Sequence, residues 1–464
     1  MCVKVAISGL LEKYKPSEEE LAYIHPDRLA ELLYSIQHAP GLCVREIGKS
    51  LAGRPIYAVD VGVGKQHVVC VAGAHADEPI GTVTVLELIR LLASDLGKKI
   101  INYWSFHFIP QLDPDGAILN WHWMKRSFTF KNLSFFSYRS NDPAKDIEHG
   151  IPLSNKQVPF PEVQAFIDYT NSISKIDYYV TLHTTHVGGG ATFLLCSKKK
   201  STESALVKML GEKCLQQRLP LWDLDLHEHH GIKRLAPGFH TPPLVQDLQD
   251  AFSGQNDILQ KIRMTTYQYA TDVLGVQAAV IAELPSILIP EMNNTEETCI
   301  SLKDFKLEYI RRSKKILKNM EQEWGALACF SCTRSNEKWI QYYSMLFKIE
   351  SKKIIVSELN LHRFSDQRAR EAEVHELALD HDESEYKIAL MGFRRLLGVN
   401  GHTANQLRLQ YRKQFENAFQ LYENRRSYSI VSRLTQVQIQ MEIILAGTHL
   451  LTKTEYPSNF ELMS

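Results

Sequence analysis

A histidine and a glutamate three residues apart, His75 and Glu78, directly follow an apolar, β-branched run of the sequence. The turn that holds them starts at Gly73, and Pro79 opens an apolar-periodic segment, as a proline in the first turn of a helix does. A neutral imidazole and a carboxylate oxygen are both zinc ligands. Because open α/β sheets bind ligands where strands end, this segment is a candidate metal-binding element. A chance His-x-x-Glu is the alternative, since the chain contains 18 histidines.

Two further predicted strands end in side chains of the same types, the first at His183 and the second at Glu283. The sequence therefore predicts His75, Glu78 and His183 as the ligands of one Zn2+ per chain. Three protein ligands leave the fourth zinc position open for water, which is typical of catalytic rather than structural zinc. A carboxylate beside that position can take a proton from the water, and Glu283 is the predicted general base.

Other histidines are competing candidates for the metal. His186 competes with His183, but it lies beyond the predicted strand end and shortly before three glycines. Residues 220–257 form a polar stretch that predicts an inserted loop or lid rather than a second metal site. This stretch contains His227, His229, His230 and His240.

The elements that must position these residues alternate between strands and helices, which predicts an α/β fold. We expect a mostly parallel or mixed twisted sheet sandwiched by helices over residues 1–330, with 220–257 inserted. Charged helical segments favour a mainly helical accessory unit over 331–464, with one hairpin at 352–364. The aromatic stretch 121–154 has no period and predicts a long surface loop.

The composition limits the classes of partner. Lys plus Arg equals Asp plus Glu, 53 against 53, so no global field favours nucleic acid or an anionic membrane, and we expect neither as a partner. No apolar run reaches the roughly 18 residues that cross a bilayer, and the first residues do not predict a signal peptide. Eight scattered cysteines, several within apolar runs, favour reduced thiols and a cytoplasmic protein.

Five segments resemble the zinc metallocarboxypeptidases of the carboxypeptidase A type, as a divergent branch, over roughly residues 20–325. The segments are GKSLAGRPIYAVDVG, GAHADEPIGTVTVLELI, FIPQLDPDGAILN, PFPEVQAFIDYTNSISKIDYYVTLHTT and VIAELPS. The resemblance implies a carboxypeptidase-like fold and the release of a C-terminal residue from a peptide. Carried over by position, it implies the same three zinc ligands and Glu283 as the base.

The resemblance also implies residues that bind the substrate. Arg126 stands near the position of the family's oxyanion-stabilising arginine, where charge-assisted hydrogen bonds would hold the developing negative charge. The family's Asn-Arg pair, which binds the terminal carboxylate, has its nearest counterparts in Arg139 and Asn141. Before the ligand glutamate this chain has Asp77, where many members have an arginine.

Three functions remain open from the sequence alone. The leading hypothesis is zinc-dependent hydrolysis of a peptide or amide bond, with release of a C-terminal residue. The second is a deacylase of N-acyl amino acids on the same scaffold, so the expected substrate is a peptide or an acyl amino acid. The third is a catalytically inactive scaffold whose C-terminal unit binds a partner. If the protein forms a homo-oligomer, we expect the C-terminal helices to mediate it.

Overall fold

The computed structural model describes most of the chain, and its residues divide into two compact units. The first unit comprises residues 1–139, 143–288 and 430–464, and the second comprises 140–142 and 289–429. The described residues are 11, 14, 16–17, 19–139, 146–153, 158, 160–223, 232–242, 245–246, 263–294, 296–359, 361 and 367–455.

The first unit is built on a mixed sheet. Its strands are β1 (Leu42–Lys49), β2 (Pro55–Val61), β3 (Gln66–Ala72), β4 (Trp104–Ile109), β5 (Tyr178–Gly188), β6 (Thr192–Ser197), β7 (Lys233–Ala236), β8 (Phe239–Thr241) and β9 (Ala278–Leu288). The order across the sheet is β1-β2-β4-β3-β5-β9-β6-β8-β7. The central strands β4, β3, β5 and β9 are parallel, so their carboxyl ends meet at one edge.

Helices surround this sheet and also make up most of the second unit. In chain order they are α1 (Pro26–Ile36), α2 (Ile80–Ala93), α3 (Lys98–Ile101), α4 (Pro114–Met124), α5 (Phe130–Phe136), α6 (Pro161–Asn171), α7 (Lys200–Gln216), α8 (Thr266–Asp272), α9 (Leu302–Ala326), α10 (Glu337–Leu359), α11 (Glu371–Arg395), α12 (His402–Asn424) and α13 (Arg433–Glu455). Helix α13 belongs to the first unit, and α9 to α12 belong to the second.

The central strands are mostly apolar, as expected for strands with both faces buried. Side chains of a strand alternate between the two faces, and in β3 Val68 and Cys70 join one core cluster while Val69 and Val71 join the other. Helices α2, α7 and α13 cover the first face, and α6 and α8 cover the second. The predicted fold class, a sheet sandwiched by helices, is confirmed.

The last helix, α13, supports the strand that carries His183. Gln440 accepts a hydrogen bond from the Thr84 hydroxyl at 2.6 Å and donates one to the His183 carbonyl oxygen at 3.3 Å. The Tyr178 hydroxyl on β5 donates to the Ile443 carbonyl oxygen at 2.9 Å. Helix α13 therefore belongs to the core of the first unit, although the sequence analysis grouped it with 331–464. The functional boundary at residue 330 stays a prediction.

Two local predictions are corrected by the described residues. The stretch 121–154 is not one loop, because it contains the end of α4 and the whole of α5, which Thr129 caps by accepting from the Asn132 amide. The predicted hairpin at 352–364 is wrong, since α10 continues to Leu359. Residues 360 and 362–366 lie outside the described residues.

The inserted stretch 220–257 is described in part. Its strands β7 and β8 form an antiparallel hairpin that extends the sheet at β6, so 233–241 is strand rather than loop. Residues 224–231, 243–244 and 247–257 lie outside the described residues, and with them His227, His229 and His230. A lid role for this stretch stays a prediction.

The second unit is mainly helical. It also contains a 3-10 turn, Pro290–Asn293, and a small two-stranded sheet of β10 (Glu297–Ser301) and β11 (Arg368–Arg370). The next short strand, β12 (Ser429–Ile430), pairs with β9 of the large sheet. Among the helices that the structure describes, none combines the length and the apolar character needed to cross a bilayer.

Candidate metal centre

The register of the parallel strands brings the predicted site residues to one edge of the sheet. Ala72 at the end of β3 pairs with Leu182 on β5, so the residues after Ala72 lie beside His183. On the next strand Glu283 pairs directly with His183. Residues far apart in the sequence therefore meet, because parallel strands end together.

The turn after β3 directs His75 and Glu78 over this edge. Gly73 has a φ of 62°, a left-handed conformation that favours glycine. A Cβ atom at this position would lie 2.4 Å from the side-chain amide nitrogen of Gln111, so Gln111 would have to shift. The Glu78 amide donates to the His75 carbonyl oxygen at 3.2 Å and closes the turn.

The three predicted zinc ligands converge on one point. Nδ1 of His183 lies 2.9 Å from Glu78 Oε2 and 3.0 Å from His75 Nδ1. Nδ1 of His75 lies 3.1 Å from Glu78 Oε1. Zinc–ligand bonds of about 2.0–2.1 Å in a tetrahedron separate two ligand atoms by about 3.3 Å. The donor types and their spacing therefore fit a zinc ion.

Carboxylates face the far nitrogens of both imidazoles. Asp146 Oδ1 lies 3.5 Å from His75 Nε2, and Glu148 Oε2 lies 3.8 Å from His183 Nε2. The buried Glu148 also accepts a hydrogen bond from the Thr266 hydroxyl, at 2.7 Å. Metal-binding histidines commonly have a carboxylate behind them, which orients the ring.

Asp146 and Glu148 were not among the residues predicted from the sequence. They follow a stretch without periodicity, and their contacts with β3 and β5 depend on long-range packing. The available signal was two acids at i and i+2, which share one face of an extended segment.

The buried carboxylates of the site have shifted pKa values. Burial raises the pKa of Glu78, but Arg139, His75 and His183 outweigh this effect and hold it well below the usual value. Burial also raises the pKa of Glu283, and the Glu78 charge raises it further. Glu283 therefore holds a proton more tightly than an ordinary glutamate, which suits a group that must accept a proton and return it.

Arg139 lies in the site, where it is paired with acids. Its Nε donates to Asp77 Oδ1 at 2.8 Å, and its Nη2 donates to Glu78 Oε1. His186 Nε2 lies 3.2 Å from Asp77 Oδ2, so His186 contacts Asp77 and is not one of the three converging ligands. Burial raises the pKa of Asp77, but Arg139 and His186 together lower it to about 2.

The other predicted residues have different surroundings. Arg126 is exposed, with Nη2 2.9 Å from His122 Nε2 and its guanidinium over the Phe136 ring. The contacts described for Arg126 do not include a residue of the metal centre. Asn141 lies outside the described residues. His240 is buried on β8, with Nε2 3.6 Å from Asp223.

Comparisons with known proteins show a partial similarity to one family. Residues 31–193 match the family model described as zinc carboxypeptidase. Carboxypeptidase A2 of Mus musculus is 29% identical over 171 residues, and that of Rattus norvegicus is 26% identical over 171 residues. Each alignment covers 31% of this chain and 40% of the relative, so the chain spans well under half of their length.

Solved structures with partial similarity are also carboxypeptidases or related proteins. A metallo-carboxypeptidase from Burkholderia cenocepacia has a TM-score of 0.37 and 17% identity, over 56% of this chain and 60% of its own. Bovine thrombin-activatable fibrinolysis inhibitor has a TM-score of 0.38 and 14% identity, over 57% of this chain and 87% of its own. By the family match and the curated relatives, residues 31–193 resemble the zinc carboxypeptidases, as a divergent branch of that family.

Proposed function

We propose that this protein is a zinc-dependent hydrolase of a peptide or amide bond, and that it releases a C-terminal residue. The observation that carries the proposal is the convergence of His75, Glu78 and His183: the two Nδ1 atoms lie 3.0 Å apart, and each lies 2.9–3.1 Å from one oxygen of the Glu78 carboxylate. Glu283 lies opposite His183 on the neighbouring strand. Two imidazoles and a carboxylate with a further carboxylate beside them match a catalytic zinc site.

The zinc ion and the protein side chains have separate roles in the proposed reaction. A bound zinc ion supplies a Lewis acid that lowers the pKa of water and polarises a carbonyl group. Glu283 accepts the proton of the attacking water and later delivers it to the leaving amine nitrogen. The Thr185 hydroxyl donates to Glu283 Oε2 at 3.3 Å and orients the carboxylate for both transfers.

Substrate binding is proposed for Arg126, Arg139 and Asn141. Arg139 has 39% of its side chain exposed while two of its nitrogens hold Asp77 and Glu78, so its remaining N–H groups are available to a substrate oxygen. Arg126 is the proposed oxyanion stabiliser, supported by its exposed guanidinium and its position after α4. Asn141 is proposed on its sequence position alone.

We also propose the substrate classes, the partners, the cellular location and the oligomeric state. Peptides are the first expected substrates and N-acyl amino acids the second, and the balanced charge of the chain favours neither nucleic acid nor membrane as a partner. We place the protein in the cytoplasm, which suits the free thiols of the described cysteines. A homo-oligomer through the helices of 331–464 remains a further proposal.

Metal analysis combined with Glu283→Gln tests the hydrolase. The substitution should leave one zinc per chain in place and lower kcat by roughly 100-fold or more, since proton transfer contributes at least that factor. Glu297→Gln, at an exposed position of β10, is the matched control and should leave kcat unchanged. Libraries of peptides and N-acyl amino acids serve as substrates and separate a carboxypeptidase from a deacylase.

Two results would overturn the proposal. Hydrolysis that survives Glu283→Gln would remove Glu283 as the base. A protein without stoichiometric zinc and without turnover of either library would instead be the inactive scaffold.

A further inference from the structure

We propose that Asn120 is a positioning residue for substrate binding, because it holds the backbone of Tyr138 and thereby fixes Arg139 in the metal centre. The inference rests on the proposed function, in which Arg139 binds a substrate oxygen. Asn120 lies on α4 and is fully buried. It therefore acts on a substrate through Arg139 rather than by direct contact.

The carboxamide of Asn120 binds both backbone polar groups of Tyr138. Its Oδ1 accepts a hydrogen bond from the Tyr138 amide at 2.8 Å, and its Nδ2 donates one to the Tyr138 carbonyl oxygen at 2.8 Å. Nδ2 also donates to the Gly116 carbonyl oxygen at 3.0 Å, and Oδ1 also accepts from Trp123 Nε1 at 2.9 Å. A carboxamide offers two donors and two acceptor lone pairs. All four positions are occupied, which neither a carboxylate nor an aliphatic side chain could reproduce.

The residue that follows Tyr138 is fixed at its other end as well. The guanidinium of Arg139 donates to Asp77 Oδ1 at 2.8 Å and to Glu78 Oε1. A free arginine side chain has many rotamers, and ordering them on binding reduces affinity. With its backbone and its guanidinium both held, Arg139 loses little conformational entropy when a substrate oxygen binds to it.

These hydrogen bonds form a closed path that begins and ends at the turn after β3. The amide of Asp113 donates to the Gly73 carbonyl oxygen at 2.8 Å, and α4 begins at the next residue. Asn120 connects α4 to the residue before Arg139. The Arg139 guanidinium then returns to the same turn. Asn120 therefore supplies the link between α4 and the segment that carries Arg139.

Loss of this link should weaken substrate binding more than it slows the chemical step. The zinc ligands and Glu283 lie at the ends of other elements, and their contacts do not include Asn120. Asn120→Ala should raise KM by about 10- to 100-fold, the loss expected when hydrogen bonds to a charged group are no longer made, and should change kcat much less. General damage to the fold would instead lower the active fraction and leave KM unchanged.

Chemical labelling tests the link without a substrate. Phenylglyoxal modifies arginine side chains, and mass spectrometry of the full-length protein gives the labelling rate of Arg139. Asn120→Ala should label Arg139 several-fold faster than the wild type, because the guanidinium leaves its carboxylates more often. Asn132→Ala removes another hydrogen bond from an asparagine to the backbone, on α5, and should label Arg139 at the wild-type rate. Equal rates in Asn120→Ala and the wild type would overturn the inference and leave the proposed hydrolase intact.

A double-mutant cycle tests whether Asn120 acts through Arg139. The value of kcat/KM is measured for Asn120→Ala, Arg139→Ala and the double variant, with the substrates that the wild type cleaves in the peptide and N-acyl amino acid libraries. The double variant should be no less active than Arg139→Ala alone, because the two side chains act in series. Losses that add would overturn the inference. A wild type that cleaves neither library overturns the proposed hydrolase, whereas the labelling rates still decide the role of Asn120.

Hydrogen exchange in the wild type covers the case in which Asn120→Ala does not fold. The Tyr138 amide is bonded to a fully buried side chain, so it should exchange far more slowly than the same amide in an unstructured peptide. Residue-resolved exchange by nuclear magnetic resonance measures this protection. An unprotected Tyr138 amide in the folded wild type would overturn the inference.

Discussion

At the scale of single residues, the metal centre depends on acids that do not bind the metal themselves. Asp146 faces the outer nitrogen of His75, and Glu148 faces that of His183, which also lies 2.9 Å from the Thr181 hydroxyl. Asp77 positions Arg139, because it accepts a hydrogen bond from the guanidinium, which also donates to Glu78. Carboxylates behind the two histidines therefore help to orient the imidazole rings.

Glu148→Gln should lower the zinc affinity by about 10- to 100-fold, because loss of a supporting carboxylate weakens the ligand that it orients. Competition with a chromophoric chelator measures this affinity. The exposed Glu46 on β1 provides the control, and Glu46→Gln should bind zinc as the wild type does. Equal zinc affinity in Glu148→Gln and the wild type would show that Glu148 does not position His183.

The raised pKa of Glu283 predicts the acid side of the pH–rate profile. The base acts in its deprotonated form, so kcat/KM should fall as the pH drops through this raised pKa rather than through that of an ordinary glutamate. Thr185→Val removes a hydrogen bond to the charged carboxylate, which should raise the pKa further. The acid limb should therefore move to higher pH, and an unmoved or lowered limb would contradict the assignment of Glu283.

At the scale of the elements, the site combines residues from one continuous segment with residues that are distant in sequence. The β3–turn–α2 segment could be predicted because its signals are consecutive: an apolar strand, a glycine turn and a proline at the start of a helix. The edge position of His183 and Glu283 followed from apolar strands that end in polar residues. Asp146 and Glu148 could not be predicted in this way, because packing between separate elements creates their contacts.

Two other elements show why local patterns misled the prediction. The segment KKIIVSEL at 352–359 contains β-branched residues that favour a strand, yet it lies within α10, because packing in the second unit overrides β propensity. Helix α5 has little periodicity over its seven residues. Thr129 before it is a good capping residue and was the available signal.

The contact between α13 and the sheet predicts a stability effect. Gln440→Ala would remove the hydrogen bonds of Gln440 to the Thr84 hydroxyl and to the His183 carbonyl oxygen and would open a cavity. The free energy of unfolding should fall by about 2–4 kcal/mol, as measured by urea denaturation. Gln438 on the same helix is only half-buried and contacts Gln217, so Gln438→Ala should cost less than about 1 kcal/mol. Similar losses in both variants would contradict the supporting role of Gln440.

At the scale of the whole molecule, the chain returns to its first unit after completing the second. Burial of a large apolar side chain contributes about 1.5–3 kcal/mol, so six of the large apolar residues that α13 buries fully contribute roughly 9–18 kcal/mol. That figure is comparable with the entire stability of a typical domain. The six residues are Val437, Ile439, Met441, Ile443, Ile444 and Leu445.

A chain that ends at residue 330 should therefore fail to fold, even though it contains every predicted zinc ligand. The core that α13 covers would be exposed to water, and we expect aggregation or loss of cooperative unfolding by calorimetry. A chain that ends after residue 455 keeps the whole of α13 and should unfold cooperatively like the full-length protein. A cooperatively folded fragment 1–330 with full zinc content would instead support a boundary at residue 330.

The most direct test of the central claim is anomalous X-ray diffraction at the zinc edge from crystals of zinc-loaded protein. The account predicts an anomalous peak about 2.0–2.2 Å from Nδ1 of His75, Nδ1 of His183 and a carboxylate oxygen of Glu78. Crystals of zinc-loaded protein without a peak bounded by these three side chains would contradict it.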